Sequence, residues 1–250
     1  MSSPNGYFEA WINQSAYRPT QQDRELMVQL SEITRQVLPG SQVRWAGSQA
    51  KGTAIQGSDL DVCVESAMPV TEAQRRDLRA ALQRALGRPA VVLSHAVRLP
   101  AAGSARKVDI AFANAAFGSR PLPAMDPFRD RRARQAAVRA LKLWASGRGL
   151  PHLPGWVAEA LVVHLDAGAG DLPPLDLFRR VIGWLAERAT PGAIEGVLRP
   201  AAFPRWNEAW SPQLPGRLTA FQNHARALLR RSPAPETWQS AEDVGRWLSG

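Results

Sequence analysis

The sequence predicts an α+β fold in two lobes, a mixed β-sheet lobe with covering helices followed by an all-helical C-terminal lobe. Three observations predict it. Short β-rich or alternating runs occur at Val43–Ala46, Asp59–Glu65, Val91–Leu99 and Arg106–Phe112, the pattern of half-buried strands. From Arg129 onward the apolar residues instead recur at spacings of three and four, the pattern of amphipathic helices. Between these regions, Phe117–Pro127 contains Gly118, Pro121, Pro123 and Pro127, which disfavour helix and central strand. The boundary therefore falls there, with lobes at 1–127 and 128–250.

Taken in order, Thr20–Leu38 reads as a helix, because Thr20 is an N-cap residue, Leu26, Leu30 and Ile33 share a face, and Gly40 follows as a stop. Val43–Ala46 is a strand, Gly47–Gly57 a loop rich in Gly, Ser and Thr, and Asp59–Glu65 a second strand. Thr71 with Gln74 forms a capping box opening a helix that aligns Leu78, Leu82 and Leu86 before Gly87. The next two strands are joined by the small-residue turn at 101–104. Helices are then expected at Arg131–Ser146, Trp156–Asp166, Leu175–Arg188, Arg217–Arg230 and Ala241–Leu248, with an irregular Pro-rich loop over Thr190–Pro215 held by Trp206 and Trp210.

Composition narrows the function. A chain of 250 residues that is 45% hydrophobic and 21% charged is long enough for two modest cores and ordinary enough to exclude wholesale disorder. The apolar stretch Trp156–Leu165 is broken by Glu159 and His164 and is far shorter than the roughly 20 residues a membrane span requires, so no membrane partner is expected. Cys63 is the single cysteine, and the first residues lack an export pattern, which makes the cytoplasm the expected compartment. The net charge of +9 favours polyanions, either nucleoside triphosphates or RNA and DNA. The scattered His95, His152, His164 and His224 give no zinc spacing. The oligomeric state stays open.

The chemistry concentrates in Gly47-Ser48, ten intervening residues, Asp59-Leu60-Asp61, and Asp109 a further 48 positions on. A strand sends alternate side chains to opposite faces, so Asp59 and Asp61 project together while Leu60 and Val62 enter the core. Asp109, between Val108 and Ile110, is turned out in the same way. Neighbouring carboxylates raise one another's pKa, and a divalent cation relieves the repulsion. Mg²⁺ prefers such oxygen ligands together with substrate phosphates, and two ions, Mg²⁺ or alternatively Mn²⁺, suit three acids. Gly47 and Ser48 are expected to hold phosphate oxygens, with Gly52 and Gly57 letting the loop approach a ligand closely. The basic run Arg129, Arg131, Arg132, Arg134 and Arg139 either guides a phosphate backbone or forms a solvated face.

The stretch from Gly47 through Lys51-Gly52-Thr53-Ala54 to Asp61 resembles the signature of polymerase-beta-like nucleotidyltransferases, most closely in wording the oligoadenylate synthetase and cGAS/DncV-like branch. Val138–Trp144 resembles the helix of that family whose lysine reaches the donor triphosphate, which assigns that role to Lys142. Gly155 and Trp156 stand where the family has Ser-Tyr, which removes a hydroxyl from the triphosphate site. The resemblance covers roughly Thr20–Leu165. It implies a two-lobed nucleotidyltransferase fold, a mixed-sheet palm plus a helical lobe. Asp59, Asp61 and Asp109 then serve as catalytic metal ligands, and Gly47, Ser48 and Lys142 bind nucleotide.

The expected activity is Mg²⁺-dependent synthesis of cyclic or short linear oligonucleotide signals from nucleoside triphosphates, with release of pyrophosphate. Lys51 is a further candidate on the acceptor side. One alternative keeps the chemistry but transfers to a tRNA or other RNA 3′ end, or to a protein or small-molecule hydroxyl. Another is a non-catalytic nucleotide- or nucleic-acid-binding module, which the presence of all three acids disfavours.

Overall fold

The computed structural model describes residues 3–94, 96–103, 105–114, 126–146, 150, 153–167, 172–198, 214–232 and 234–249. They divide into two compact units, one of residues 17–125 and one combining 1–16 with 126–250.

The first unit opens with α2 (Gln21–Val37), so numbered because α1 belongs to the other unit. Thr20 Oγ accepts the Asp23 amide at 3.1 Å and the Asp23 carboxylate accepts the Thr20 amide at 2.8 Å, a reciprocal cap that fixes where the helix begins. Strand β1 (Gln42–Trp45) leads into the short helix α3 (Gly47–Lys51), and β2 (Leu60–Ser66) follows. Helix α4 (Glu72–Leu86) starts on the Thr71–Gln74 capping box and stops at Gly87. The unit is completed by β3 (Val91–Val92), β4 (Ala96–Leu99) and β5 (Val108–Asn114). The sheet runs β1-β2-β5-β4-β3, with β2 and β5 parallel and the other pairs antiparallel.

Leu60, Val62 and Val64 of β2 and Val108 and Ile110 of β5 are buried against Leu30 and Ile33 of α2 and Leu78 and Leu82 of α4. A one-residue slip in β2 would expose its three aliphatic side chains, at on the order of 2 kcal/mol each, and bury Asp61 in their place. The core therefore sets the register that presents the acids on the opposite face. A cavity of about 320 Å³ lies on the helix-covered side, lined by Leu26, Leu60, Leu86, Arg88 and Arg106 among others, and is separate from the acids.

The second unit is helical: α1 (Pro4–Gln14), α5 (Arg132–Ala145), α6 (Gly155–Asp166), α7 (Pro174–Glu187), α8 (Pro191–Leu198), α9 (Leu214–Leu229) and α10 (Ala241–Ser249). Helix α7 packs against α1, α5, α6 and α9. Tilted and edge-on aromatic contacts tie the unit together, with Phe178 5.5 Å from Phe8 and 5.9 Å from Trp247, and Trp144 5.9 Å from Phe221. No described helix is long and apolar enough to cross a membrane.

Four differences from the sequence expectations have physical causes. Residues 1–16 do not join the sheet unit, because α1 inserts Phe8 and Ile12, both fully buried, into the helical core. Asn5 Oδ1 also accepts the Leu175 amide at the start of α7, and Asn13 Oδ1 accepts from Arg139. The expected loop after β1 begins instead with helix α3, closed by Gly52 in the left-handed region at φ +69°. The single strand expected over Val91–Leu99 is a hairpin of β3 and β4. The irregular loop expected from Thr190 starts as helix α8, which buries Ile194, Val197 and Leu198. Trp206, Trp210 and most of the Phe117–Pro127 connection lie outside the described residues.

Candidate active site

Asp61 and Asp109 are register partners on the adjacent parallel strands β2 and β5. The same alternation that buries Leu60, Val62, Val108 and Ile110 places both acids on the face away from the core. Asp59 precedes the strand. It is held there by Gln49, whose side-chain amide donates to the Asp59 carbonyl at 2.5 Å while its oxygen accepts the Asp61 amide at 3.3 Å. Gln49 belongs to α3, so that helix clamps the segment carrying both acids.

Helix α3 is also anchored through Ala46, whose amide donates to the Asp61 carbonyl at 2.9 Å. The Ser48 amide donates to the Asp61 carboxylate. Gly47, at φ +51°, lies against the same carboxylate, so closely that a Cβ there would stand 2.0 Å from Asp61 Oδ2. The Ser48 carbonyl accepts the Thr53 and Ala54 amides, which folds the rest of the loop back onto α3. Gly52 and Gly57 occupy positive φ, which favours glycine at these turns. Lys51, expected toward the acceptor, is buried.

Electrostatically the acid face is mixed. Burial, followed by the charges of Asp109 and Asp59, pushes the Asp61 carboxyl above its ordinary range. Arg98 of β4, register partner of Asp109, grips it with both nitrogens: Nε to Oδ1 at 2.6 Å and Nη2 to Oδ2 at 3.0 Å. Lys107, two residues before Asp109 and so on the same face, pairs with Asp59 and lies 3.7 Å from Asp109 Oδ2. Cys63, also on this face, has its thiol pKa raised by burial.

The donor set fits a hard divalent cation. It consists of carboxylates, it projects from neighbouring strands, and it carries the mutual repulsion that raises the Asp61 pKa. Among the described residues no three acidic, His or Cys side chains converge as they stand at metal-binding spacing. Asp59 and Asp109 are drawn instead to Lys107 and Arg98.

Of the residues singled out in the sequence, the first unit brings together Gly47, Ser48, Asp59, Asp61 and Asp109; Lys142 belongs to the helical unit. There it is largely buried, 3.9 Å from the buried Glu159. The glycine at 155 makes room for it, since a Cβ would meet Lys142 Cε at 3.1 Å. Within the basic run, Arg129, Arg131 and Arg132 are exposed. Arg134 instead pairs with Asp166, and Arg139 is buried with Nη2 on Asn13, so neither forms part of an open phosphate-guiding face. Sequence reasoning missed Gln49, Arg98 and Lys107. The two-residue period would have placed Lys107 beside Asp109, whereas Arg98 required the pairing of β4 with β5.

Comparison with known proteins gives the same picture of the fold. Residues 11–101 match the family model described as poly(A) RNA polymerase, mitochondrial-like, central palm domain. No curated protein matches the chain at the sequence level. Among solved structures, the poly(U) polymerase Cid1 with MgGTP bound superposes with a TM-score of 0.71 at 14% identity, over 98% of each chain. The non-canonical poly(A) polymerase GLD-2, from its complex with GLD-3, gives 0.69 at 14%, over 100% of this chain and 98% of that one. A cytoplasmic RNA terminal U-transferase gives 0.56 at 15%, over 75% and 71%. The fold is therefore the mixed α+β nucleotidyltransferase fold seen in Cid1 and GLD-2.

Proposed function

We propose that the chain is a nucleotidyltransferase that extends RNA 3′ ends, using nucleoside triphosphates and divalent metal, in the cytoplasm. The observation that carries the reading is the in-register pairing of Asp61 with Asp109 on the central parallel strands, with Asp59 clamped beside them. The palm match and the RNA-tailing neighbours support RNA as acceptor over the cyclic or short linear oligonucleotide signals expected from the sequence. That expectation leaned on the wording Lys51-Gly52-Thr53-Ala54. Lys51 and Thr53 are buried there, so the wording is accounted for by packing of the loop on α3.

Asp59, Asp61 and Asp109 would hold the divalent ions, two of Mg²⁺ or Mn²⁺. When bound, such ions acidify the attacking 3′-hydroxyl and neutralise the triphosphate and leaving pyrophosphate. Gly47 and Ser48 set the position of Asp61, and α3 offers its backbone to the donor phosphates. Lys142 supplies a cation to the triphosphate.

The test is incubation with an end-labelled RNA and each nucleoside triphosphate in turn. Untemplated extension of a 3′-hydroxyl RNA, and none of a 3′-deoxy RNA, is expected. Formation of small oligonucleotides without RNA would return the acceptor to a nucleotide.

A further inference from the structure

Arg98 faces away from the core, between the fully buried Val97 and Leu99, so packing does not explain a guanidinium there. Its two bonds engage both oxygens of Asp109, so the charge of that carboxylate is already matched by a cation where a metal ion would compete for it. Lys107 pairs through its single ammonium with one oxygen of Asp59 while remaining within reach of Asp109. Two cations thus stand among three carboxylates on one face of β4, β5 and the start of β2.

We propose that Arg98 and Lys107 are resident counter-cations of the acid cluster, holding Asp109 and Asp59 in the metal-free protein and displaced from them when a divalent ion binds. The inference rests on the metal-dependent reading above and deepens it, because it makes metal entry an exchange of cations. The exchange is one of like for like: a guanidinium and an ammonium each satisfy a carboxylate through directed hydrogen bonds, and a divalent ion offers higher charge to the same oxygens. The side chains of Arg98 and Asp109 are 38% and 23% exposed, so water screens the pair and keeps the barrier to exchange modest. Pairs of this exposure contribute at most about a factor of five, so competition weakens metal binding by about two- to fivefold. Arg98 is accordingly a positioning residue, acting through Asp109.

Mn²⁺ binding to the full chain, read from the electron paramagnetic resonance signal of free Mn²⁺, separates this from activity. Arg98→Gln and Lys107→Gln are each expected to bind Mn²⁺ about two- to fivefold more tightly than wild type, with Arg98→Lys between, because it keeps the charge but loses the two-pronged grip. Arg44→Gln, which removes a cation paired with Glu65 on the neighbouring edge strand, is expected to leave the affinity unchanged. Unchanged or weaker Mn²⁺ binding in Arg98→Gln and Lys107→Gln overturns the proposal; should Arg98→Gln fail to fold, Lys107→Gln decides alone. If Asp109→Asn binds Mn²⁺ as wild type does, the metal-ligand reading falls and this inference falls with it. Asp109-dependent binding that the glutamine variants do not tighten removes the inference and leaves the reading standing.

Discussion

Gly47 and Asp61 are in such close contact that no larger residue fits between backbone and carboxylate: a Cβ on Gly47 would lie 2.0 Å from Asp61 Oδ2 and 2.6 Å from its Cγ. The contact is backbone against a side chain fixed by its strand, so neither partner yields easily. Gly47→Ala must also bear a positive φ of +51°, which costs a non-glycine residue about 1 kcal/mol before any clash. Activity is expected to fall on the order of a hundredfold through displacement of Asp61, with a smaller loss in urea midpoint. Near-normal turnover by a folded Gly47→Ala protein would show that this contact does not position the acid.

The upward shift of the Asp61 carboxyl makes a prediction about stability. A carboxyl that holds its proton more tightly when folded stabilises fully below the ordinary carboxylate range, and the contribution disappears as pH rises through the raised value. In metal-free buffer at neutral pH, Asp61→Asn is therefore expected to have a higher Tm than wild type. Added Mg²⁺ should raise the wild-type Tm and not that of the variant. Thermal melts in EDTA and in Mg²⁺ check both.

Lys142 separates binding from folding. Lys142→Met is expected to raise KM for the nucleoside triphosphate about tenfold, the scale of one lost charge-assisted contact. It also removes the cation 3.9 Å from the buried Glu159, and Tm is expected to fall. Adding Glu159→Gln should restore much of the Tm and none of the KM. Recovery of both would assign Lys142 a structural role only.

Asp243, in the helical unit and in contact with none of the proposed site residues' partners, provides a control. Its carboxylate accepts the Gln239 and Ser240 amides at 2.8 and 2.9 Å at the start of α10, and pairs with Arg246. The Gln239 amide first, then Arg246, lower its pKa to about 2. A depressed carboxyl stabilises above the ordinary range and loses that contribution as pH falls. Asp243→Asn should lower Tm at pH 7, with the difference shrinking as pH falls toward 2, and leave RNA extension intact.

Much of this was legible in the sequence where local rules and burial agree. The N-cap at Thr20 and the capping box at Thr71 fixed the starts of α2 and α4, and alternation in β2 correctly separated Leu60, Val62 and Val64 from Asp61. The helical lobe followed from its spacing. What was not legible depended on partners distant in the chain. Helix α1 has only Phe8 and Ile12 in the core, too little pattern to read, and its allegiance to the helical unit comes from Phe178, Leu175 and Arg139. The three acids were visible as an alternation, but their engagement by Arg98 and Lys107 emerges from sheet pairing. Similarly, the Lys51–Ala54 wording pointed to one branch of a superfamily, and only its burial in the loop shows what those residues do in this chain.

The central claim is that Asp61 and Asp109 form the centre of an RNA 3′-end nucleotidyltransferase. It is tested most directly by extending an end-labelled RNA with Mg²⁺ and each nucleoside triphosphate, comparing wild type with Asp61→Asn and Asp109→Asn at matched folding. The account predicts untemplated extension by wild type and a loss on the order of a thousandfold in each variant, the scale of removing a group that stabilises phosphoryl transfer. Extension that survives in both variants, or a wild-type protein that extends no RNA with any nucleotide, would contradict it.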